Sequence, residues 1–293
     1  MYEHILVAID GSPTADAGFA FAARLVERAG GRVTAVRVVE PAYEVWASAP
    51  EPVPGLERLL RQHEDACAEQ LAALAASAPH SVQVETRLVQ GKPAAALLEL
   101  LEELRPGLAV AGTHGVGFSR FLLGSVSNRL LEAAPCDLLL FRGETVVDRP
   151  LNVIAALDGS EHARHALRVA ADLAVTLSAC LVLAHVVDYR IPFAEGGPYS
   201  GVRQALHEQG ERLLHQAREQ LAAPLEAVVD DLREGSPRPG LIAACEEHEP
   251  AIAVVGTRGT NGFHGLLVGS TARDLVNYAP CPVLAVRARS ELA

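Results

Sequence analysis

Short, nearly unbroken apolar runs alternate along this chain with longer stretches in which apolar residues recur every three or four positions. In the first half the runs at 4–10, 32–39, 82–89, 107–112 and 137–142 read as strands, continuous rather than alternating, as in a parallel sheet covered on both faces. The periodic stretches at 13–29, 56–77, 93–104 and 124–134 read as helices, with a Pro-rich loop, "APEPVPG", before the second. Such alternation predicts a doubly wound α/β domain.

The pattern then starts again. A shift of about 145 residues lays "ILVAIDGS" (5–12) on "VIAALDGS" (153–160) and "VTAVRVVE" (33–40) on "LVLAHVVD" (181–188). It also lays "LVQGKP" (88–93) on "LREGSP" (232–237) and "APCDLLLFR" (134–142) on "APCPVLAVR" (279–287). The expected organisation is two domains, 1–143 and 150–290, each with a parallel five-stranded sheet, joined by the polar "GETVVDRP" (143–150). The repeat also explains "LAVTLSACLVLAHVV" (173–187), which is almost free of charge. Its counterpart, "LVERAGGRVTAVRVV" (25–39), carries four ionisable side chains and a Gly-Gly turn, so both read as helix end, turn and buried strand rather than a membrane span.

Two signals recur at strand ends. Asp10 and Asp158 close the first strand of each half, and glycine-punctuated loops, "GTHGVGFSRFLLGSVS" (112–127) and "GTRGTNGFHGLLVGST" (256–271), follow the fourth. In an open parallel sheet a ligand binds beyond the carboxyl ends of the strands, where the strand order reverses. If first and fourth strands are neighbours there, each half has a carboxylate suited to a ribose diol and a loop suited to phosphate. In the second loop Gly256 and Gly259 let the backbone approach a ligand, while Gly269, Ser270 and Thr271 set N–H groups and hydroxyls at a helix start. The competing reading is architectural: the glycines make a turn and Ser270 caps a helix. The repeated aspartate weighs against it.

Composition narrows the ligand class. A formal net charge of −11 over 293 residues excludes a broad basic surface for nucleic acid or anionic lipid, so any phosphate must be held locally. Lys92 is the one lysine and lies in no G-x-x-x-x-G-K-[ST] loop, which excludes a P-loop. Cys67, Cys136, Cys180, Cys245 and Cys281 form no C-x-x-C and read as buried, reduced thiols. "MYEHILVAIDGS" carries no basic leader segment, so no signal peptide is expected and the expected location is cytoplasmic. His162 with His165, and Cys245 with His248, have i, i+3 spacing but no second pair nearby. They read as solvated helix faces rather than metal ligands, and the sequence assigns no metal site.

These residues resemble the universal stress protein family in its tandem, ATP-binding form, over nearly the whole chain. The most specific element is G-x2-G-x9-G-[ST], which the second copy satisfies as Gly256, Gly259, Gly269 and Ser270. "LDGS" and "APCPVLAVR" match as well. The resemblance implies a Rossmann-like, adenine nucleotide α-hydrolase-like fold and ATP, with or without Mg²⁺, as ligand. It implies Ala156, Asp158 and Val187 at the nucleoside, and Gly256, Arg258, Gly259, Gly269, Ser270 and Thr271 at the phosphates. The first copy keeps Ala8, Asp10, Val39, Gly112, Gly115, Gly124 and Ser125, with His114 opposite Arg258. It has eight residues (116–123) where the motif has nine, so nucleotide is expected chiefly in the second half. The resemblance further implies pairing through the last strands, as an internal pseudo-dimer or a homodimer. No nucleophile or second carboxylate is fixed by motif beside the loop, so no catalytic residue is assigned. A slow ATPase using Asp158 and Mg²⁺, and a ligand-free interaction scaffold, are the alternatives to a regulatory ATP-binding protein.

Overall fold

The structure is a computed structural model and describes residues 1–40, 55–113, 123–142, 151–188, 200–222, 224–258 and 268–287, the side chains of Leu56 and Ser200 excepted. The chain divides into two compact units, one holding Tyr2–Glu144 and the other Thr145–Ala293 together with Met1.

The first unit runs β1 (His4–Ala8), α1 (Pro13–Ala29), β2 (Arg32–Val39), α2 (Leu56–Ala76), β3 (Gln83–Gln90), α3 (Pro93–Leu104), β4 (Leu108–Gly112), α4 (Ser125–Ala133) and β5 (Asp137–Phe141). Its strands are all parallel, in the order β3-β2-β1-β4-β5. The second unit repeats the plan with β6 (Asn152–Leu157), α5 (Glu161–Leu177), β7 (Cys180–Val187), α6 (Ser200–Glu219) and β8 (Val228–Glu234). It continues with α7 (Pro237–Glu247), β9 (Ala251–Gly256), α8 (Ser270–Tyr278) and β10 (Val283–Val286), in the order β8-β7-β6-β9-β10. These are the two doubly wound α/β units that the hydrophobic pattern predicts.

The switch in strand order falls between β1 and β4 and between β6 and β9. There the chain leaves β1 for one face and β4 for the other, which opens a crevice at the carboxyl edge. The strands flanking it are almost solid apolar residues: Ile5, Leu6 and Val7 are buried in β1, and Val153, Ile154 and Ala155 in β6. The expectation of unbroken apolar runs fails at β3 and β8, which stand at the ends of these orders and have no fully buried residue. They carry charge instead. Arg87 binds Glu85 and Glu103, and Arg233 binds Asp231 and Glu247, so each outer strand is tied to the helix that follows it. Charge along an outer strand discourages foreign strands from adding to it.

The stretch at 173–187 is indeed helix, turn and strand: Ser178 takes a left-handed conformation (φ 53°) at the end of α5, and β7 begins two residues later. Among the described residues no helix is long and apolar enough to cross a membrane.

Candidate functional site

The aspartates end their strands in the same local structure. Asp10 Oδ1 accepts from the Ser12 N–H at 2.9 Å and Asp158 Oδ1 from the Ser160 N–H at 2.9 Å. The intervening Gly11 and Gly159 sit at φ 81° and 80°, a left-handed conformation glycine adopts without strain. Ser12 and Ser160 then cap α1 and α5, accepting from Ala15 at 3.2 Å and Ala163 at 3.0 Å. "DGS" is thus one device, an Asx turn feeding a helix cap, and it presents each aspartate, exposed, at the crevice.

Across the crevice the glycine loops are pinned at both ends. Gly124 N–H donates to Thr113 O at 2.9 Å, and Gly269 N–H donates to Thr257 O at 2.6 Å. Ser127 Oγ adds a 2.6 Å bond to Gly112 O in the first unit. Gly124 and Gly269 are the N-caps of α4 and α8, and neither helix start has a side-chain cap. Ser125 and Ser270 are therefore first helical residues rather than caps. The N-terminal N–H groups of a nine-residue helix lie at the crevice with its positive dipole end.

Gly256 has a packing role. A Cβ there would fall 2.9 Å from the carbonyl carbon of His162, so its lack of side chain lets β9 lie against the first turn of α5. Ala156 and Val187 are buried, as is Val39, while Ala8 is half-buried. The carbonyls of Val39 and Val187 each already accept a 3.0 Å bond, from Gly91 and Gly235. Each keeps its second lone pair. Thr271 and Arg258 are half-buried at the loop's two ends, as are Gly112 and Gly124 at the ends of the first loop. Gly259, His114 and Gly115 lie outside the described residues.

The structure adds residues the motifs did not flag. Thr257, next to Gly256, is 1% exposed, and its hydroxyl has no hydrogen-bond partner among the described residues. In the first unit Arg37 on β2 reaches toward Gly11, where a Cβ would lie 2.8 Å from its Nη1, and donates to Gln70 of α2 at 3.1 Å. Burial raises the Asp16 carboxyl above its usual range and the neighbouring Asp10 raises it further, while Arg37 opposes both. The pair Cys245/His248 departs from a solvated face. Cys245 is 1% exposed, and a hydrogen bond to Cys281 together with burial pushes its thiol far above the ordinary range, an inert environment. His248 Nε2 bonds Asp231 Oδ2 at 3.0 Å instead.

With that geometry in place, comparison with known proteins is decisive at the level of family. The profile described as "Universal stress protein family" matches residues 1–142 and again 151–287. The chain belongs to the universal stress protein family. It is a tandem member: a universal stress protein of Mycobacterium tuberculosis (strain H37Rv) is 33% identical over 297 residues, covering 97% of this chain and 96% of the relative. One from Mycolicibacterium smegmatis is 28% identical, covering 97% of each. The crystal structure of a universal stress protein from Archaeoglobus fulgidus superposes with a TM-score of 0.64 at 18% identity, over 97% of this chain and 98% of that one, and so shares the tandem fold.

Proposed function

We propose that this universal stress protein binds an adenine nucleotide, ATP, chiefly in its second half, and that occupancy serves as a regulatory signal in the cytoplasm. The observation that carries the reading is the pairing across the β6/β9 switch point: Asp158 on one side, and on the other a helix start without a side-chain cap behind a complete G-x2-G-x9-G-S loop. The carboxylate suits the ribose hydroxyls, which donate to it. The N–H groups of Ser270, Thr271 and Ala272 suit phosphate oxygens, which accept.

The residues present fit such a ligand. Thr257 supplies a buried hydroxyl at the foot of the loop whose hydrogen bond is unmade among the described residues, and an unmade buried bond costs about 1–3 kcal/mol. A loop closing over phosphate offers it a partner. Arg258, at the same end of the loop, adds a cation without need of a lysine. In the first half the same ends remain, Asp10 and the start of α4, but the loop between Gly115 and Gly124 is one residue shorter and departs from the motif.

Among the described residues no group beside the loop is placed as a nucleophile or general base, and the reading proposed here is of a binding site. Calorimetric titration with ATP of the full chain and of Asp10→Ala and Asp158→Ala tests it. Asp158→Ala is expected to weaken binding at least about tenfold, the worth of one charge-assisted hydrogen bond or more, and Asp10→Ala to change it little. Equal losses in the two variants would remove the preference for the second half.

A further inference from the structure

The duplication supplies an internal control for a second feature, on the face of the second unit where α5 and α6 lie. Between these helices runs a cavity of about 450 Å³, within the size range of small-molecule sites. Its apolar surface comes from Leu157, Ala163, Leu167, Leu213 and Ala217. Its polar flank comes from Arg164 on α5 and from Gln209, Arg212, Gln216 and Gln220 on α6. The charged lining residues are two arginines and one carboxylate, Asp158.

The corresponding residues of the first unit are bridged. Counting from the caps, Ser12 and Ser160, Asp16 occupies the place of Arg164. By strand register Arg37 occupies the place of His185, since His185 pairs with Leu157 and Arg37 follows Val36, the partner of Ala8. By the buried positions of the second helix, Cys67 and Leu71 against Gly210 and Leu214, Gln70 occupies the place of Leu213. In the first unit Arg37 therefore spans the two helices, bonding Gln70 on α2 and lying within electrostatic reach of Asp16 on α1. In the second unit each of the three is changed. The His185 ring turns back to Leu157 O at 2.7 Å, Arg164 donates to Gly159 O at 2.8 Å, and Leu213 brings a methyl to within 3.3 Å of where a Cβ on Gly159 would be. The bridge is gone, and an apolar surface with two guanidinium groups stands in its place.

We propose that the α5/α6 cavity is a second ligand site, specific for a small amphipathic carboxylate. The apolar body lies against Leu167, Leu213 and Ala217, and the carboxylate is held by Arg164 and Arg212, with glutamine amides donating beside it. Arg212 has Glu208 at 3.8 Å on the same helix, an exposed pair of little strength that a bound carboxylate displaces at small cost. This site meets the nucleotide site at Asp158, which lines the cavity, but goes beyond the nucleotide reading and does not depend on it.

The test is titration of the full chain with 8-anilinonaphthalene-1-sulfonate, an amphipathic anion that fluoresces when sheltered from water, followed by displacement with decanoate. The expected result is saturable binding near one per chain, displaced by decanoate, and weakened at least about tenfold by Arg212→Glu. Gln216→Trp, an exposed position that fills the cavity from its rim, is expected to abolish it. Rebuilding the bridge with His185→Arg, Arg164→Asp and Leu213→Gln is expected to do the same, with circular dichroism reporting whether that triple variant folds. ATP titration of Arg212→Glu is expected to match the wild type, which separates the two sites. Absence of saturable binding by the wild type, or binding unchanged in both Arg212→Glu and Gln216→Trp, overturns the proposal.

Discussion

His4 shows how one side chain ties pH to stability. Its ring lies buried at the start of β1 between Thr34 Oγ1, 2.9 Å from Nε2, and Arg32 Nη2, 3.4 Å from Nδ1. A guanidinium can only donate, so Nδ1 accepts and the proton sits on Nε2, shared with Thr34. Protonation would bury a charge beside Arg32. Burial first, and the Arg32 charge second, hold the pKa below 6.5. A folded-state pKa below the unfolded value means the unfolded chain takes up the proton first, so stability falls as pH drops below about 6.5 and levels off below the folded pKa. Denaturant unfolding between pH 7.5 and 5 is expected to show a smaller acid-side loss for His4→Gln than for the wild type; parallel curves would contradict this. The repeat did not flag His4, because its counterpart is Asn152 and the effect arises from β2. By contrast the place of Asp158 at a strand end was legible directly, since it follows an unbroken apolar run, while the Asx turn and the Ser160 cap that hold it there emerged only from the structure.

At the scale of elements, the contact between β9 and α5 decides how tightly the crevice wall is built. Gly256 looked like a ligand residue because it opens the nucleotide motif, yet a Cβ there would also meet His162 Cβ at 3.0 Å and His162 O at 3.0 Å. Gly256→Ala is expected to push α5 off the sheet and cost about 1–3 kcal/mol, the usual range for overpacking. Gly201→Ala on α6, where a Cβ meets nothing within 4 Å, is expected to be neutral or stabilising, since alanine favours helix. Thermal melts of the two variants check the contrast; equal Tm changes would mean that Gly256 has no packing role. Element types and order were legible because the strands beside the crevice are solidly apolar. The polar β3 was recognised as a strand, and β8 only through the repeat, but neither as a charged outer strand, because ion pairs such as Arg233 with Glu247 join residues that local pattern does not connect. The Arg37 bridge to Gln70 escaped notice for the same reason, at 33 residues' separation.

For the whole molecule, duplication leaves two copies free to diverge, and they have done so at both ends of the same crevice region. The first has the shorter glycine loop and the bridged helices; the second has the complete loop and the open cavity. β5 and β10 are buried along their whole length, and apolar but for Asp137 at the start of β5.

The claim on which most depends is that the second half holds a nucleotide. Native mass spectrometry of the gently purified chain, with nucleotide chromatography of what it releases and ATP added back, tests it most directly. The account predicts adenine nucleotide at about one per chain in the wild type, at full occupancy on addition of ATP, and its loss in Asp158→Ala. No nucleotide in the wild type and none taken up from added ATP would contradict the account and leave the protein an interaction scaffold built on the same fold.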